Sequence, residues 1–259
     1  MSTRYENRPR IVCHMVSAID GRLITNRWTQ AAEDDDANLI LSVYDEAAAE
    51  IGGESWLVGR KTMQSVLPQI DAQAAPRGEA GDAPPARSRR SHVGRREGRG
   101  LAIAVDPKGR LAYSGPAIGD DHAVAILAEQ VSDAYLAQLR ERGVSYVFAG
   151  ADGADLHAAL AALKADFQVS SLMLQGGGII NGAFLRADLI DEISLLVFPG
   201  IDGLSGIPSI FECQDAAPDF LPARGRKLRL LSCEVRRAGV VWLRYAVERR
   251  ADAGAGRAR

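Results

Sequence analysis

Short apolar runs alternate along the chain with segments whose apolar residues recur at helical spacing. Helical spacing is clearest in the stripe formed by Leu39, Val43, Ala47 and Ile51. Two longer strand-like runs come last in the chain, residues 228–236 and 240–247. The three residues between them predict an antiparallel hairpin. The alternation predicts an α/β domain with a mixed, mostly parallel sheet, flanking helices and a C-terminal antiparallel hairpin at one edge. The predicted strands are residues 11–18, 56–58, 101–106, 123–127, 144–149, 171–175, 193–198, 228–236 and 240–247.

Local signals mark where the predicted helices start and stop. Asp34, Asp35 and Asp36 precede the first helix and predict its N-terminal cap. Ser132 predicts the cap of a later helix, which Gly143 is placed to end. Further helices are predicted directly after three strands: from about Thr62, over residues 156–163 and over residues 181–187.

One stretch, residues 72–100, consists of Ala, Pro, Gly, Ser and Arg with almost no large apolar residue. Such a composition cannot bury enough surface to offset the entropy of ordering, so it predicts a flexible insertion. A solvated loop is the favoured interpretation of its arginines, and an anionic partner is the alternative; these are Arg87, Arg89, Arg90, Arg95, Arg96 and Arg99. Residues 249–259 are likewise predicted to be disordered. One domain is therefore expected over residues 1–259, ordered from about 9 to 248.

Composition and charge exclude several classes of protein. The 259 residues carry a formal net charge of −2, which does not indicate a nucleic-acid partner or an anionic membrane surface. No apolar run is long enough for a membrane span, and residues 1–10 lack the apolar core of a signal peptide. Three widely spaced cysteines predict neither a disulfide framework nor a zinc site, as suits a reducing compartment. We therefore expect a cytoplasmic protein without nucleic-acid or membrane partners.

Two strand-to-helix junctions are candidate anion sites, because backbone N–H groups and the helix dipole converge there. The first comprises Gly59, Arg60, Lys61 and Thr62: a glycine turn, two cations and a hydroxyl at a helix start. An ordinary helix start with two solvated cations explains these residues equally well.

The second junction comprises three consecutive glycines, Gly176, Gly177 and Gly178, after a strand that ends at Gln175. Glycines at the carboxyl end of a buried strand let a polyanionic ligand approach the main chain closely. A plain flexible turn is the alternative. The motif is not the dinucleotide fingerprint GxGxxG, and no acidic residue is placed to contact a ribose as in that fingerprint.

Other chemistries lack their signatures. The residue pairs of a zinc nucleobase deaminase are absent, and the glycine spacing of a serine-hydrolase elbow is not found. The four histidines, His14, His92, His122 and His157, lack the spacing of metal ligands, so no metal site is predicted. His14 lies on the first strand and is either a satisfied core residue or part of a pocket at the end of that strand.

In this order, four motifs resemble the pyrimidine reductase domain of riboflavin biosynthesis, the C-terminal domain of the bifunctional deaminase–reductase. That domain is a member of the dihydrofolate-reductase-like superfamily. The resemblance covers most of the chain outside residues 72–100 and the two ends. The motifs are the D-G-R turn at residues 20–22, the G-R-x-T of residues 59–62, the glycine-ended strand at residues 172–178, and residues 189–203 with their Asp-Glu and Pro-Gly pairs.

What the resemblance implies is NADPH-dependent reduction of a 5-phosphoribosylamino-pyrimidine, with hydride passing to the ribose carbon through a ring-opened imine-like form. A homodimer is also implied, with the terminal hairpin as its interface. Gly176, Gly177 and Gly178 would then hold the pyrophosphate, and Arg60 and Thr62 the phosphates of the adenosine half. Arg60 would give a preference for NADP over NAD.

The remaining implied contacts are Ala18 and Ile179 for the cofactor and His14, Asp20 and Gln175 for the substrate. No catalytic residue is assigned. Where the family usually has lysine, serine and glutamate, this chain has His14, Ala18 and Gln175. These departures keep two alternatives open: a reductase of a pterin, folate or other carbonyl substrate, and an NADPH-binding protein without turnover.

Overall fold

A ten-stranded sheet is the central feature of the computed structural model, which describes residues 6–33, 36–53, 55–66, 89–214, 217 and 219–249. The strands are β1 (Arg10–Ala18), β2 (Ser55–Gly59), β3 (Leu101–Val105), β4 (Ala117–Ile118), β5 (Asp121–Leu127), β6 (Ser145–Phe148), β7 (Ser171–Leu174), β8 (Glu192–Phe198), β9 (Arg226–Val235) and β10 (Val241–Arg249). The α-helices are α1 (Leu39–Ile51), α2 (Arg60–Val66), α3 (Asp133–Glu141), α4 (Leu156–Phe167) and α5 (Gly178–Arg186).

The strand order is β4-β5-β3-β2-β7-β1-β8-β10-β9, and β6 also pairs with β5. Neighbouring strands are parallel across the row β6-β5-β3-β2-β7-β1-β8. Beyond β8, β10 and β9 continue the sheet as an antiparallel hairpin. The predicted fold class is confirmed. Strand β4 was not among the predicted strands; it is only two residues long and pairs antiparallel with β5. Such a short strand has no detectable period.

Helices cover both faces of the sheet, and the alternation of side chains along β1 shows how. Ile11, Cys13 and Met15 share one apolar cluster with residues of α4 and α5. Ala18 faces the other side, where residues of α1 pack against β8 and β10. A third cluster joins α2 and α3 to the half of the sheet around β3 and β5.

Each predicted helix is present, but several boundaries differ: α2 starts at Arg60, before the predicted Thr62, and α4 ends at Phe167, beyond the predicted range. Ser132 caps α3 as predicted, and its hydroxyl accepts a hydrogen bond from Tyr135 N at 3.2 Å. The cap of α1 is Asn38 instead of the aspartate run, and Asp36 accepts from Asn38 N at 2.9 Å. Asp34 and Asp35 lie outside the described residues. Helix α5 starts at Gly178, three residues before the predicted start.

Part of the expected flexible insertion follows the outer edge of β6. His92 forms an antiparallel bridge with Tyr146, and Gly94 N donates to Ser145 Oγ at 2.8 Å. Arg96 donates to the Phe167 carbonyl at 2.9 Å. Residues 89–100 thus depart from the expected solvated loop, because they satisfy backbone groups of an edge strand. Residues 67–88 and 250–259 lie outside the described part, and Arg249 belongs to β10.

Candidate functional site

The carboxyl ends of β2, β7 and β1 lie side by side in the middle of the sheet. Because β7 is inserted between β2 and β1, the two predicted anion junctions become neighbours. Gly59 N donates to the Gly176 carbonyl at 3.0 Å, and Gln175 N donates to the Leu57 carbonyl at 2.9 Å. Ligands of open α/β sheets bind at this kind of edge.

One hydrogen bond joins the two junctions directly. The hydroxyl of Thr62, in the first turn of α2, accepts from Gly177 N at 3.2 Å. Gly177 is the N-cap of α5, so the bond fixes the start of that helix against α2. The next N–H groups of α5 have no partner within the helix, and the helix dipole adds positive potential there. Ile179 lies in this first turn with 42% of its surface exposed.

The three glycines have different surroundings. A Cβ added at Gly176 would lie 2.9 Å from the Met15 side chain, and its φ of +96° suits only glycine. A Cβ at Gly178 would overlap the Ser209 carbonyl oxygen. Among the described residues, the only neighbour of a Cβ at Gly177 within 4 Å would be Thr62 Oγ1, at 3.2 Å. Gly177 is therefore the glycine whose main chain a ligand can approach.

Residues 207–213 pack against α5, and this packing explains why a glycine stands at Gly178, one of the residues predicted to hold a ligand. This segment begins beside the D-G-R turn, where Leu23 N donates to the Pro208 carbonyl at 3.1 Å. It then crosses α5, where Glu212 N donates to the Gly178 carbonyl at 2.9 Å. A Cβ at Gly182 would overlap the Glu212 carbonyl. The signal missed in the sequence is the four-residue spacing of these two glycines, which places both on one helix face.

Arg60 begins α2 at the end of β2, beside the end of β3. Its guanidinium donates to Gln64 Oε1 at 2.7 Å. Asp106 follows β3 and is 1% exposed, and its Oδ2 accepts from Arg110 N at 2.6 Å and from Leu111 N at 2.8 Å. Burial raises the pKa of Asp106, while these bonds and the charges of Arg60 and Arg110 lower it.

Asp20 binds the backbone of a neighbouring loop. Its Oδ2 accepts from Gly203 N at 2.8 Å, and the side chain is exposed at the carboxyl end of β1. In the same loop Asp202 forms a bidentate pair with Arg27, at 2.7 and 3.1 Å. Gln175 is half-buried at the end of β7. Asp20 and Gln175 thus remain at the edge of the sheet where the two junctions meet.

His14 and Ala18 do not lie at the surface of the site. His14 is fully buried beneath α1, with Nδ1 2.9 Å from Ser194 Oγ and Nε2 3.1 Å from the Tyr44 carbonyl. Burial lowers the pKa of His14 to about 4. Ala18 is 1% exposed, and its N–H donates to the Arg22 carbonyl. The predicted contacts of these two side chains with substrate and cofactor are corrected, because the even-numbered face of β1 is covered by α1.

A cavity of about 130 Å³ opens between the segment after β1 and the start of α1. Its apolar wall includes Trp28 and Phe198, whose ring centroids are 5.6 Å apart. Phe198 ends β8, so the cavity adjoins the same edge of the sheet. Its polar wall consists of Thr25, Thr29, Gln30 and Asp36. No sequence motif indicated this cavity.

Neither a membrane-spanning helix nor a metal-binding cluster is found in the described residues. None of their α-helices has the length and apolar character to cross a bilayer. Within the same residues, no group of three or more His, Cys, Asp or Glu side chains is placed to hold a metal ion.

Comparisons with known proteins agree with this architecture. The family of RibD C-terminal domains matches residues 9–242. No curated protein matches the chain significantly.

Similar solved structures include a pyrimidine reductase-like protein of Corynebacterium diphtheriae, with a TM-score of 0.61, 17% identity and 96% of each chain covered. RibD of Acinetobacter baumannii has a TM-score of 0.61 and 16% identity, over 94% of this chain and 59% of that protein. The riboflavin biosynthesis reductase Rib7 of Saccharomyces cerevisiae has a TM-score of 0.55 and 14% identity, with 95% and 93% covered. At these identities the structures establish the fold.

Proposed function

The chain belongs to the family of RibD C-terminal domains, and we propose that it is an NADPH-dependent reductase of a 5-phosphoribosylamino-pyrimidine. The observation that carries the proposal is the hydrogen bond from Gly177 N to Thr62 Oγ1. It joins the two junctions that resemble the phosphate-binding motifs of this superfamily, at the sheet edge where ligands of open α/β folds bind.

The residues at this junction fit a dinucleotide. Within the part of the chain that the structure describes, Thr62 alone limits the space beside Gly177, and the first turn of α5 offers backbone N–H donors to a diphosphate. Arg60 would contact phosphate on the adenosine side. Gly176 and Gly178 would shape the turn. Because Met15 packs beside Gly176 and the Ser209 carbonyl beside Gly178, neither glycine would present an open face to the ligand. Bound there, NADPH would supply the hydride that reduces the acceptor carbon of the substrate.

The substrate side would be built from Asp20, Gln175 and the cavity beside Trp28. Gln175 can both donate and accept hydrogen bonds, whereas a carboxylate could only accept them. His14 would support the cavity wall from behind without contacting the substrate. Its Nε2 contacts the carbonyl of Tyr44, and Tyr44 lies one helical turn from Ile40, which lines the cavity. Protein groups would thus position the substrate, and positioning is the main contribution that a hydride transfer needs from them.

The test measures NADPH binding and consumption with the full chain. We expect wild type to bind NADPH and to consume it with the phosphoribosylamino-pyrimidine. Gly177→Val should lose detectable NADPH binding, because its side chain would occupy the approach to α5. Gly115→Ala is the matched control, since a Cβ there meets no atom of the described residues within 4 Å.

The alternatives give different results in the same assay. Consumption only with a pterin, folate or simple carbonyl would identify the other reductase. Binding without consumption of NADPH across that panel would identify a protein without turnover. Unchanged NADPH affinity in folded Gly177→Val would contradict the placement of the diphosphate.

A cytoplasmic homodimer is the second part of the proposal. Strand β9 is the last strand of the sheet, and no strand in the described part of the chain pairs with its outer edge. Leu228, Leu230, Leu231 and Val235 on β9 are exposed, with Val235 at 76%. Exposed apolar edge strands favour pairing with another strand. Cys13, Cys213 and Cys233 are free thiols, as a reducing compartment favours.

The sequence of β9 complements itself in the antiparallel direction. Two copies centred between Leu230 and Leu231 would place these leucines opposite each other and Lys227 opposite Glu234 of the second copy. Cross-strand apolar and opposite-charge pairs stabilise a sheet, and a twofold axis repeats each pair. We therefore place the dimer interface along β9.

A further inference from the structure

A buried histidine lies beneath residues 89–100, the strap that follows the outer edge of β6. His122 is the second residue of β5, and its backbone N–H donates to the Gly100 carbonyl at 2.9 Å. The strap also passes close to the imidazole ring, because a Cβ added at Gly94 would lie 3.4 Å from His122 Cε1. His122 lies at the opposite end of its strand from the sheet edge where the two junctions meet, so the proposed function does not use it.

One hydroxyl group links the strap to this ring. Ser145 Oγ, on β6, accepts from Gly94 N at 2.8 Å and lies 2.6 Å from His122 Nε2. A neutral imidazole can accept the Ser145 proton at Nε2, so the hydroxyl accepts from the strap and donates to the ring. Backbone hydrogen bonds of 2.9 and 3.0 Å between His92 and Tyr146 add to this attachment.

Protonation of His122 would break the link. An imidazolium carries a proton on both nitrogens, so Nε2 could no longer accept from Ser145. Nδ1 is buried, and no described group lies within hydrogen-bonding distance of it. The charged ring would therefore have an unpaired N–H for as long as the strap covers it, and burying an unpaired charge is costly.

The charged groups of the strap also oppose a positive charge on the ring. Burial lowers the pKa of His122, and the charges of Arg99, Arg96 and His92 lower it further, whereas the charge of Glu97 raises it. The Glu97 side chain is 70% exposed and lies 3.8 Å from the Arg99 guanidinium, so it offers the buried ring little compensation.

The elements packed against the strap add no acidic partner for the ring. Asp121 precedes His122 on β5, and its carboxylate accepts from Trp56 Nε1 at 2.7 Å. On the side of α3, the Arg140 guanidinium lies 5.5 Å from the centre of the Tyr146 ring. Burial and the charge of Arg140 lower the pKa of His92 as well. The described surroundings of both histidines therefore favour the neutral form while the strap is attached.

We propose that His122 is a pH-sensitive switch for the strap, which a neutral ring holds against β6 and a protonated ring releases. A released His122 binds a proton near its ordinary pKa of 6.5, whereas the covered ring binds one only at lower pH. The attachment is therefore complete above pH 6.5 and weakens as the pH falls below that value. Release would expose the backbone groups of Tyr146 on the edge of β6, where another strand could pair with them.

Hydrogen exchange of the full chain tests the switch. Protection factors of the Gly94 and Tyr146 amides, corrected for intrinsic exchange, are compared at pH 7.5 and 5.5. They should fall about tenfold in wild type, which is the linkage expected for one histidine that titrates only after release. The amides of β7 are the internal reference for opening of the whole sheet, and their protection should fall less.

Three variants assign the effect to one histidine. His122→Gln should lose most of the pH dependence, because glutamine can bond to Ser145 but does not titrate in this range. His92→Gln should keep most of the tenfold fall. His157→Gln is the control, since His157 is exposed on α4, and it should behave like wild type.

Several results would overturn the switch. One is the same tenfold fall in folded His122→Gln as in wild type, and another is an equal fall in the amides of β7, which would show opening of the whole sheet. If His122→Gln does not fold, nitrogen chemical shifts of the wild-type imidazole replace it. Protonation of His122 with undiminished protection of Gly94 would reject the proposal, whereas protonation and loss of protection over the same pH range would support it.

Discussion

At the scale of single residues, the hydrogen bonds around His14 determine its tautomer. Trp242 Nε1 can only donate, 2.7 Å from Ser194 Oγ, and the Tyr44 carbonyl can only accept. The proton of His14 therefore sits on Nε2, facing Tyr44, and Nδ1 accepts from the Ser194 hydroxyl. The ring is neutral. Its pKa is lowered to about 4, chiefly by burial. The hydrogen bond to Tyr44 raises the pKa in part, and the charge of Arg244 lowers it.

This neutral histidine makes stability depend on pH. The unfolded chain binds a proton near its ordinary pKa of 6.5, whereas folded His14 binds one only near pH 4. The stabilisation is complete above pH 6.5 and is lost as the pH falls towards 4. Between pH 7 and 4.5, wild type should lose about 2 kcal/mol more unfolding free energy than His14→Gln.

Urea denaturation at the two pH values measures that difference. His157→Gln is the control, because His157 is exposed on α4 and should leave the wild-type pH dependence in place. Equal losses in wild type and His14→Gln would show that His14 is already protonated in the fold or does not titrate in this range.

At the scale of elements, α5 and the segment at residues 207–213 form one packed unit. Asn181 Nδ2 donates to the Ile210 carbonyl at 2.9 Å, and the Cys213 thiol contacts the Gly182 carbonyl. The two glycines on that face of α5 let the segment's backbone lie directly on the helix. This contact supports the helix whose first turn would hold the diphosphate.

Gly182→Ala tests this packing, because the sign of its effect on the unfolding free energy depends on whether the segment lies against the helix. Alanine in a helix interior ordinarily stabilises by up to about 1 kcal/mol relative to glycine. Here the new Cβ would overlap the Glu212 carbonyl, so we expect a net loss of about 2 kcal/mol in unfolding free energy. Urea titrations of Gly182→Ala and Gly115→Ala make the comparison, and a stabilised Gly182→Ala would refute the close approach.

The elements were more predictable than their contacts. Apolar periods located nine of the ten strands, because a strand or helix shows its burial in its own residues. The period along β1 also puts His14 on a definite face, but not beneath α1, since that neighbour comes from a distant segment. For the same reason Gly178 was predicted to contact a ligand, whereas residues 209–212 of the chain itself pack against its open side.

At the scale of the whole molecule, the order of the strands assembles the site. Inserting β7 between β2 and β1 joins Thr62 to Gly177 across more than a hundred residues. No local pattern specifies that insertion, so the sequence supported the site through resemblance to a family and not through spacing alone. The same order leaves β9 at one end of the sheet with an open edge.

The open edge predicts a dimer that charge reversal can dissect. Wild type should sediment as a dimer at micromolar concentration, and Leu230→Glu should weaken association at least about tenfold, because two buried carboxylates would meet near the axis. Leu41→Glu is the matched control, since Leu41 is at least as exposed as Leu230 but lies on α1. Lys227→Glu should weaken the dimer by opposing Glu234 of the second copy.

Restoring the opposite charges tests the register itself. Combining Lys227→Glu with Glu234→Lys should recover dimerisation, although Glu234 also loses its 2.8 Å pair with Arg236. A dimer that Leu230→Glu leaves intact would move the interface away from β9. Loss in Leu230→Glu without recovery in the double charge reversal would keep the interface on β9 and reject the pairing of Lys227 with Glu234, because the complementary charges would then not face each other.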